Sequence, residues 1–278
     1  MKKQGIPVLT YHAVADHAGP GIHPVHVSVE SFREQMSWLA ENGYRTLTTP
    51  QLLERIRNNQ ADGKFVTITF DDGYFSLLKH VTPILQAYNF RATLFLTTAV
   101  VGSNVNSLPL AGEISYPPGD RPLTWEELRI MENTCWDIQA HGHRHFAHNA
   151  LSYGDLMNEI VCCKDELAQH LSRKVIHYAF PYGKYSTLVL NTLTKTGFEA
   201  GFSVHPGFAK NSSDLRRIPR VGVNLSDTLE LFATKVTTGY SSIEEKVIAK
   251  LRWSVFRHTQ LKDFLKSVKD KLAGTNKN

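Results

Sequence analysis

The sequence predicts an α/β protein whose parallel sheet closes into a barrel. Up to about residue 220, short apolar strands alternate with helical segments. Repeated βα units of this kind favour parallel strands joined by right-handed crossovers. The number of units favours a barrel over an open sheet. A chain of 278 residues is long enough to bury a full core in a fold of this type.

The first half of the chain predicts strands that alternate with helices. Ser31 and Glu34 have the spacing of a capping box, so we expect a helix to begin at Ser31. Pro50 suits the first turn of the next helix. The predicted elements are strands at Val8–Tyr11, Arg45–Leu47, Phe65–Phe70 and Ala92–Leu96, and helices at Ser31–Asn42, Pro50–Asn58 and from Gly73 to about Tyr88.

The second half continues the alternation after a loop at residues 102–122 that is rich in Gly, Ser, Asn and Pro. Thr124 and Glu127 form another capping box. The clearest helix opens at Ser152, because its apolar residues recur every three or four positions. The apolar stripe consists of Leu156, Ile160, Cys163, Leu167 and Leu171. The remaining predictions are strands at Asp137–Ala140, His177–Phe180, Ala200–Val204 and Ile218–Val223, and a helix at Ser186–Thr196.

Composition and charge exclude several classes of protein. Hydrophobic residues make up 42% of the chain and charged residues 21%, which argues against disorder or a coiled coil. From Lys235 onward the formal charge is +6, which leaves −1 of the total +5 for the main body. Nucleic-acid binding is therefore disfavoured. The apolar runs are too short to cross a bilayer and the N-terminus lacks a signal-peptide core, so we expect a cytoplasmic protein.

Acidic and histidine side chains follow the predicted strands at the edge where barrel enzymes carry out chemistry. Asp71 and Asp72 follow one strand, and His141 follows another. Four of the 13 histidines lie within eight residues, at His141, His143, His145 and His148. Histidines four apart converge on one ion when the segment turns helically, and imidazole is a common ligand of Zn²⁺. Taken alone, Asp-Asp-Gly is equally ordinary turn sequence.

Three motifs in this order resemble the polysaccharide deacetylase domain of carbohydrate esterase family four. Thr69-Phe70-Asp71-Asp72 matches the first motif, His141 with His145 matches the second, and Phe180-Pro181-Tyr182-Gly183 matches part of the third. The resemblance implies a distorted, incomplete (β/α) barrel at residues 1–225, followed by a C-terminal helical extension at residues 226–278. It also implies removal of N-acetyl groups from an amino-sugar glycan in exopolysaccharide or cell-envelope biosynthesis.

The resemblance implies roles for individual residues. Asp72, His141 and His145 would hold a divalent metal, Zn²⁺ in the first instance, with Co²⁺ and Ni²⁺ as alternatives. Asp71 would act as the general base. The backbone N–H of Tyr182 would help to form the oxyanion site.

Substrate contacts are expected from two further positions. Pro181 and Tyr182 form a rigid turn after a predicted strand. Trp125 lies near the predicted barrel mouth, where an aromatic ring stacks on sugars, although packing is the alternative role for this ring.

The chain departs from the family pattern at three places. Ala179 stands where the third motif commonly carries an arginine, no Asp-Trp pair corresponds to the fourth motif, and no late Leu-x-His segment supplies a general acid. Arg220 is expected to replace the arginine by pairing with Asp71, with a surface ion pair as the alternative. His12 is the candidate acid, with a structural histidine as the alternative. A carbohydrate-binding relative without turnover is therefore the second hypothesis for function.

The C-terminal residues carry a basic amphipathic pattern. Such a helix either lies on an anionic membrane surface or packs on the barrel as a closing helix. The first version places the enzyme at the inner membrane face, where it acts on a lipid-linked glycan. The apolar stripe consists of Leu261, Phe264, Leu265, Val268 and Leu272, and the basic residues are Lys262, Lys266, Lys269 and Lys271.

Overall fold

Among the residues that the structure describes, nine strands form one curled sheet. The computed structural model describes residues 5–16, 22–104 and 116–249. The strands are β1 (Ile6–Tyr11), β2 (Val14–Ala15), β3 (Val27–Ser28), β4 (Arg45–Leu47), β5 (Phe65–Asp72), β6 (Ala92–Leu96), β7 (Trp136–Ala140), β8 (His177–Ala179), β9 (Ala200–Phe202), β10 (Phe208–Ala209) and β11 (Val221–Gly222). The helices are α1 (Val29–Glu41), α2 (Thr49–Arg57), α3 (Thr82–Ala87), α4 (Trp125–Glu132), α5 (Tyr153–His170), α6 (Thr187–Lys195) and α7 (Leu229–Thr238).

The strand order confirms the predicted incomplete barrel. Along the main path it is β10-β1-β5-β6-β7-β8-β9, and all neighbours are parallel except β1 and β10. A short segment spans the gap between the two ends of the parallel sheet, because Ile218 bridges to Phe202 of β9 and Val221 pairs with Leu9 of β1. The C-terminal ends of β1, β5, β7 and β8 therefore face one mouth.

β5 is longer than predicted, and this difference bears on the site. The ladder with β6 continues through Asp71 opposite Phe95 and Asp72 opposite Leu96. The Asp-Asp pair is therefore the paired end of a strand and not a turn after it. The strand ends before Gly73, which has a positive φ of 105°.

The start of α1 differs from the prediction. The N-cap is Ser28, whose hydroxyl accepts a hydrogen bond from the backbone N–H of Ser31, so the helix begins at Val29. The expected capping box at Ser31 and Glu34 is wrong, because Ser31 already lies inside the first turn. The caps predicted at Thr124 for α4 and at Ser152 for α5 are confirmed.

Long helices cover the outside of the sheet and bury the predicted stripes. Leu156, Ile160, Cys163 and Leu167 of α5 are all buried, as their spacing predicts. α7 packs on the barrel through Phe232, whose ring meets Trp38 of α1. Across the described ranges, no helix combines the length and apolar character needed to cross a membrane. The amphipathic pattern at residues 261–272 lies outside the described residues.

Candidate metal centre and active site

Three polar side chains from distant parts of the chain meet at the barrel mouth. Asp72 ends β5, His141 directly follows β7, and His145 comes four residues later. One ligand atom from each lies within 4.8 Å of the others, and all three residues are buried. Oδ1 of Asp72 is 3.6 Å from Nε2 of His141 and 3.4 Å from Nε2 of His145. The structure therefore brings together the three residues that the motifs predicted as ligands.

A backbone carbonyl orients the first histidine. Nδ1 of His141 is 2.9 Å from the carbonyl oxygen of Ala179. Because a carbonyl only accepts, Nδ1 must carry the hydrogen, which leaves the lone pair of Nε2 facing Asp72. Burial lowers the pKa of His141 to about 4, although the charge of Asp71 opposes the shift. The imidazole is therefore neutral near pH 7, as a metal ligand must be.

Asp72 has one carboxylate oxygen that is buried without a hydrogen-bond partner. Oδ2 accepts a hydrogen bond from the hydroxyl of Tyr74 at 3.3 Å, whereas Oδ1 has none among the described residues. A buried acceptor without a partner costs free energy, and such an atom calls for an explanation such as an ion. One carboxylate oxygen with two imidazole nitrogens is a donor set that suits Zn²⁺ and neighbouring divalent metals. The residues present therefore fit the metal that the family implies.

Asp71 is held apart from this set by a buried arginine. Nη1 and Nη2 of Arg220 donate to its two oxygens at 2.7 Å and 2.8 Å, and Arg220 is 0% exposed. Burial alone would raise the pKa of Asp71, but the charge and hydrogen bonds of Arg220 lower it to about 2. The predicted pairing is therefore present, and it is a buried bidentate pair and not a surface one. Oδ2 of Asp71 still lies 3.7 Å from Nε2 of His141.

The other two histidines of the cluster have different partners. His143 contacts Thr98 at 3.0 Å and Glu166 at 3.2 Å through Nδ1. His148 hydrogen-bonds through Nδ1 to the carbonyl oxygen of Phe146 and through Nε2 to the hydroxyl of Tyr178. These two residues support the loop and lie outside the candidate ligand set.

His12 lies at the same mouth as the aspartates. β1 and β5 are parallel with Tyr11 opposite Phe70, so the next residues on the two strands are His12 and Asp71. Burial raises the pKa of Asp72, and the positive charge of a protonated His12 opposes that rise. Nδ1 of His12 is buried and has no hydrogen-bond partner among the described residues. The position suits the proton donor that the sequence predicted, and that role stays a prediction.

The turn that follows β8 contacts His145 of the candidate ligand set. Tyr182 has a left-handed φ of 56°, and its ring centroid is 4.6 Å from that of His145. Gly183 is also left-handed, and a Cβ at this position would lie 2.2 Å from Cγ2 of Val204. Pro181 is buried behind the turn, beside Gly142. The turn therefore brings the ring of Tyr182 to the candidate ligand His145, and a presentation of the Tyr182 N–H to substrate stays a prediction.

Trp125 is engaged in packing between helices. Its ring stacks on that of His170 with centroids 4.2 Å apart and an interplanar angle of 14°. His170 is the last residue of α5, and the first turn of α5 is the end that follows the histidine loop. This contact therefore lies at the opposite end of α5 from the residues that follow that loop. Substrate binding by Trp125 stays a prediction, and its observed contact matches the packing alternative.

Sequence reasoning missed three groups whose hydrogen bonds hold residues of the site in place. They are the hydroxyl of Tyr74, the carbonyl oxygen of Ala179 and the carboxylate of Glu159, which holds the backbone N–H of Arg144. A carbonyl oxygen leaves no sequence signal. Glu159 does leave one, because it lies one turn from Leu156 and Cys163 on the apolar stripe of α5.

The chain matches known proteins over most of its length. Residues 58–201, which are more than half of the chain, match the family model described as polysaccharide deacetylase. YxkH of Bacillus subtilis (strain 168), a provisionally named polysaccharide deacetylase, is 26% identical over 80% of this chain and 73% of its own length. The poly-beta-1,6-N-acetyl-D-glucosamine N-deacetylase of Escherichia coli (strain K12) is 26% identical over 88% of this chain, which spans 40% of that enzyme.

A solved structure shows the same fold. The Streptococcus pyogenes deacetylase PplD in complex with acetate aligns with a TM-score of 0.71. It is 23% identical, and the alignment covers 85% of this chain and 98% of that chain. The curled sheet described above is therefore the fold of a deacetylase structure.

Proposed function

This chain belongs to the polysaccharide deacetylase family, and we propose that it removes N-acetyl groups from a poly-N-acetylglucosamine-type exopolysaccharide at the mouth of the barrel. One observation carries the proposal. An oxygen of Asp72 that is buried and has no hydrogen-bond partner within the described ranges faces two neutral imidazoles, and an ionised carboxylate, Asp71, stands beside them. The substrate class is supported by the name of the Escherichia coli relative.

Asp72, His141 and His145 would hold the metal, and we propose Zn²⁺ as that metal. When bound, a divalent cation supplies a Lewis acid that polarises the acetyl carbonyl and makes water a better nucleophile at neutral pH. Two nitrogens and one carboxylate oxygen are the ligand types of catalytic zinc sites, which keep a position open for substrate. Co²⁺ and Ni²⁺ accept similar donors and remain the alternatives.

Asp71 accepts the proton of the attacking water. Oδ2 of Asp71 is the oxygen that faces His141, at 3.7 Å from Nε2. Arg220 keeps this carboxylate ionised, since the pKa of Asp71 is about 2. The base is therefore in its active form at every pH at which His141 is neutral.

Tyr182 acts on the carbonyl oxygen of the reacting amide, and His12 acts on its nitrogen. The backbone N–H of Tyr182 donates to the carbonyl oxygen as negative charge develops on it, an interaction that strengthens towards the transition state. An imidazole nitrogen of His12 donates a proton to the departing amine. The products are acetate and a free amino sugar.

Acetate release from defined oligosaccharides tests the proposal. We expect the metal-loaded protein to release acetate from β-1,6-linked N-acetylglucosamine oligomers, with chelation abolishing the activity. Asp72→Asn should remove activity together with metal. Asp137→Asn is the matched control, because Asp137 is a buried carboxylate at the start of β7 that contacts Thr49, Thr93 and Gln139.

Two results would contradict the proposal in different ways. Oligosaccharide binding without acetate release from the metal-loaded protein would support the second hypothesis, a carbohydrate-binding relative without turnover. Acetate release that survives both chelation and Asp72→Asn would show that the chemistry takes place elsewhere.

A further inference from the structure

A buried carboxylate on α5 anchors the loop that carries His145. Glu159 is 0% exposed, and its Oε2 accepts a hydrogen bond from the backbone N–H of Arg144 at 2.8 Å. Its Oε1 accepts a second one from Nε of the same arginine, also at 2.8 Å. One carboxylate therefore fixes both the backbone and the side chain of the residue immediately before His145.

His145 needs an anchor because its backbone is strained. Its φ is 62°, in the left-handed region that residues other than glycine rarely adopt. Such a conformation is energetically unfavourable and persists only when the surroundings impose it. The guanidinium of Arg144 lies 4.8 Å from the ring centroid of Phe146, so Arg144 contacts both Glu159 and the residue after His145.

The two histidines of the candidate ligand set are oriented in different ways. His141 has the support that ligating histidines usually have, a hydrogen bond from its second ring nitrogen to a carbonyl oxygen. Nδ1 of His145 is buried and has no hydrogen-bond partner in the described parts of the chain. The direction of the His145 ring therefore depends on ring contacts with His141 and Tyr182 and on its backbone. Glu159 holds that backbone at the preceding residue, Arg144.

Packing alone does not explain why a carboxylate, Glu159, occupies a buried position on α5. Glu159 lies among the apolar residues of α5, next to Ile160 and one turn from Leu156 and Cys163. Taking a carboxylate out of water costs several kcal/mol unless its partners compensate. Its charged partner in the described part of the chain, Arg144, is 40% exposed along the side chain. An apolar side chain would fill this position at lower cost, but it could not accept the Arg144 N–H.

We propose that Glu159 is a positioning residue that directs Nε2 of His145 towards Asp72 and thereby sets the affinity of the site for its metal. The proposal rests on the proposed function only in requiring that the site binds a divalent cation. Glu159 touches neither the ion nor the substrate, so its effect must pass through the loop at residues 141–148.

Zn²⁺ affinity of Glu159→Gln, measured by competition with a chromophoric chelator, tests this role. The amide removes the charge and replaces one acceptor by a donor, so we expect affinity to fall about 10- to 100-fold, the usual effect of removing a support of a ligating histidine. Glu132→Gln is the matched control. Glu132 is also buried on a helix and accepts backbone N–H groups, those of Ser172 and Arg173, but it lies away from the histidine loop.

Hydrogen exchange of the metal-free protein gives a second readout. The backbone N–H of Arg144 should exchange faster in Glu159→Gln than in the wild type and in Glu132→Gln, because its acceptor is weakened. If Glu159→Gln fails to fold, Arg144→Lys removes the Nε contact while the backbone contact stays, and a smaller loss of affinity is expected.

Each outcome separates this inference from the proposed function. Folded Glu159→Gln, or Arg144→Lys in its place, with wild-type Zn²⁺ affinity would overturn the positioning role. Wild-type protein without measurable Zn²⁺ affinity would instead count against zinc at the proposed site. In that case unchanged exchange at Arg144 in Glu159→Gln would still overturn the anchoring of the loop.

Discussion

At the scale of single residues, two adjacent carboxylates have different environments. Side chains of consecutive strand residues normally point to opposite faces of a sheet. Here Asp72 has a left-handed φ of 76°, and both Asp71 and Asp72 reach His141, with oxygens 3.7 Å and 3.6 Å from Nε2. Arg220 pairs with both oxygens of Asp71, whereas Oδ1 of Asp72 has no hydrogen-bond partner among the described residues. These environments support the proposed roles of Asp71 as base and Asp72 as ligand.

The division of roles predicts a variant that binds metal without turning over. We expect Asp71→Asn to lower kcat by about 10²- to 10⁴-fold, the usual contribution of a general base, while Zn²⁺ affinity stays within a few-fold. Acetate release and chelator competition measure the two quantities on the same preparation. Full activity in Asp71→Asn would show that Asp71 is not the general base.

The buried arginine predicts a shift in the pH profile. In Arg220→Met, burial remains and the charge that opposes it is lost, so the pKa of Asp71 should rise from about 2. The base is active when ionised, so the acid limb of kcat/KM should move to higher pH. The pH dependence of acetate release between pH 4 and 8 measures this. An unchanged acid limb would show that Arg220 does not control the ionisation of Asp71.

The motifs were sufficient to predict the candidate ligand set. They did not predict the groups that hold these side chains in place. Asp72, His141 and His145 stand at recognisable spacings after strands. The pairing of Arg220 with Asp71 was a hypothesis, because 149 residues separate the partners and only the folded sheet brings them together. Asp and His adopt the left-handed region more often than most residues with a side chain, but the sequence does not single out Asp72 and His145 among the others of their type.

At the scale of elements, the turn at Pro181–Gly183 carries the proposed oxyanion contact. Tyr182 and Gly183 are two consecutive left-handed residues, and the Tyr182 ring lies 4.6 Å from that of His145. Gly183 is required for two reasons, its φ of 63° and the approach of Val204.

Gly183→Ala should therefore destabilise the protein and impair catalysis. The left-handed φ alone costs on the order of 1–3 kcal/mol for a residue with a Cβ, and the contact with Val204 adds to it. Because the Tyr182 N–H would move, we expect kcat to fall more than KM rises. Urea unfolding and acetate release measure the two effects. Gly222→Ala is the matched control, since a Cβ there meets no atom within 4 Å; equal behaviour of the two variants would contradict the account.

Long periodic elements were predictable and short irregular ones were not. The stripe of α5 fixes its buried face through Leu156, Ile160 and Cys163. β2, β3 and β10 have two residues each, too few to show an alternation. The start of α1 was misplaced because Ser28 and Ser31 both suit a cap, and tertiary contacts decide between them.

At the scale of the whole molecule, the barrel buries several histidines in neutral form. Burial lowers the pKa of His26, His148 and His177 to about 3. In the unfolded chain a histidine titrates near 6.5. The unfolded state therefore binds more protons between about pH 6.5 and 3, and the folded state loses stability as the pH falls through this range.

The metal-free protein should accordingly be sensitive to acid. Each such histidine lowers the free energy of unfolding by up to about 1.4 kcal/mol per pH unit below 6.5. Urea unfolding at a series of pH values from 7 to 4 measures the slope. We expect His177→Gln to show a shallower slope than the wild type, because one of the buried groups no longer titrates. The same slope in both proteins would contradict the neutral, buried state of His177.

The alternation of strands and helices was sufficient to predict a curled parallel sheet, and the closure of the barrel was not predictable in detail. The segment that bridges the two ends uses Ile218 and Val221, which the sequence placed in one strand at Ile218–Val223. The structure divides this strand around Arg220, whose side chain is needed at Asp71. Pro219 has no backbone N–H to donate to a ladder, and the N–H of Arg220 donates to the carbonyl oxygen of His205, so the ladder is not continuous here.

The position of the bound metal tests the central claim most directly. Crystals of the Zn²⁺-loaded protein, measured above and below the zinc absorption edge, would locate the ion by anomalous scattering. The account predicts one strong peak at about 2.0–2.2 Å from Oδ1 of Asp72 and from Nε2 of both His141 and His145, with Asp71 still paired to Arg220. A peak bound to other side chains, with Asp72 and the two histidines left without an ion, would contradict it.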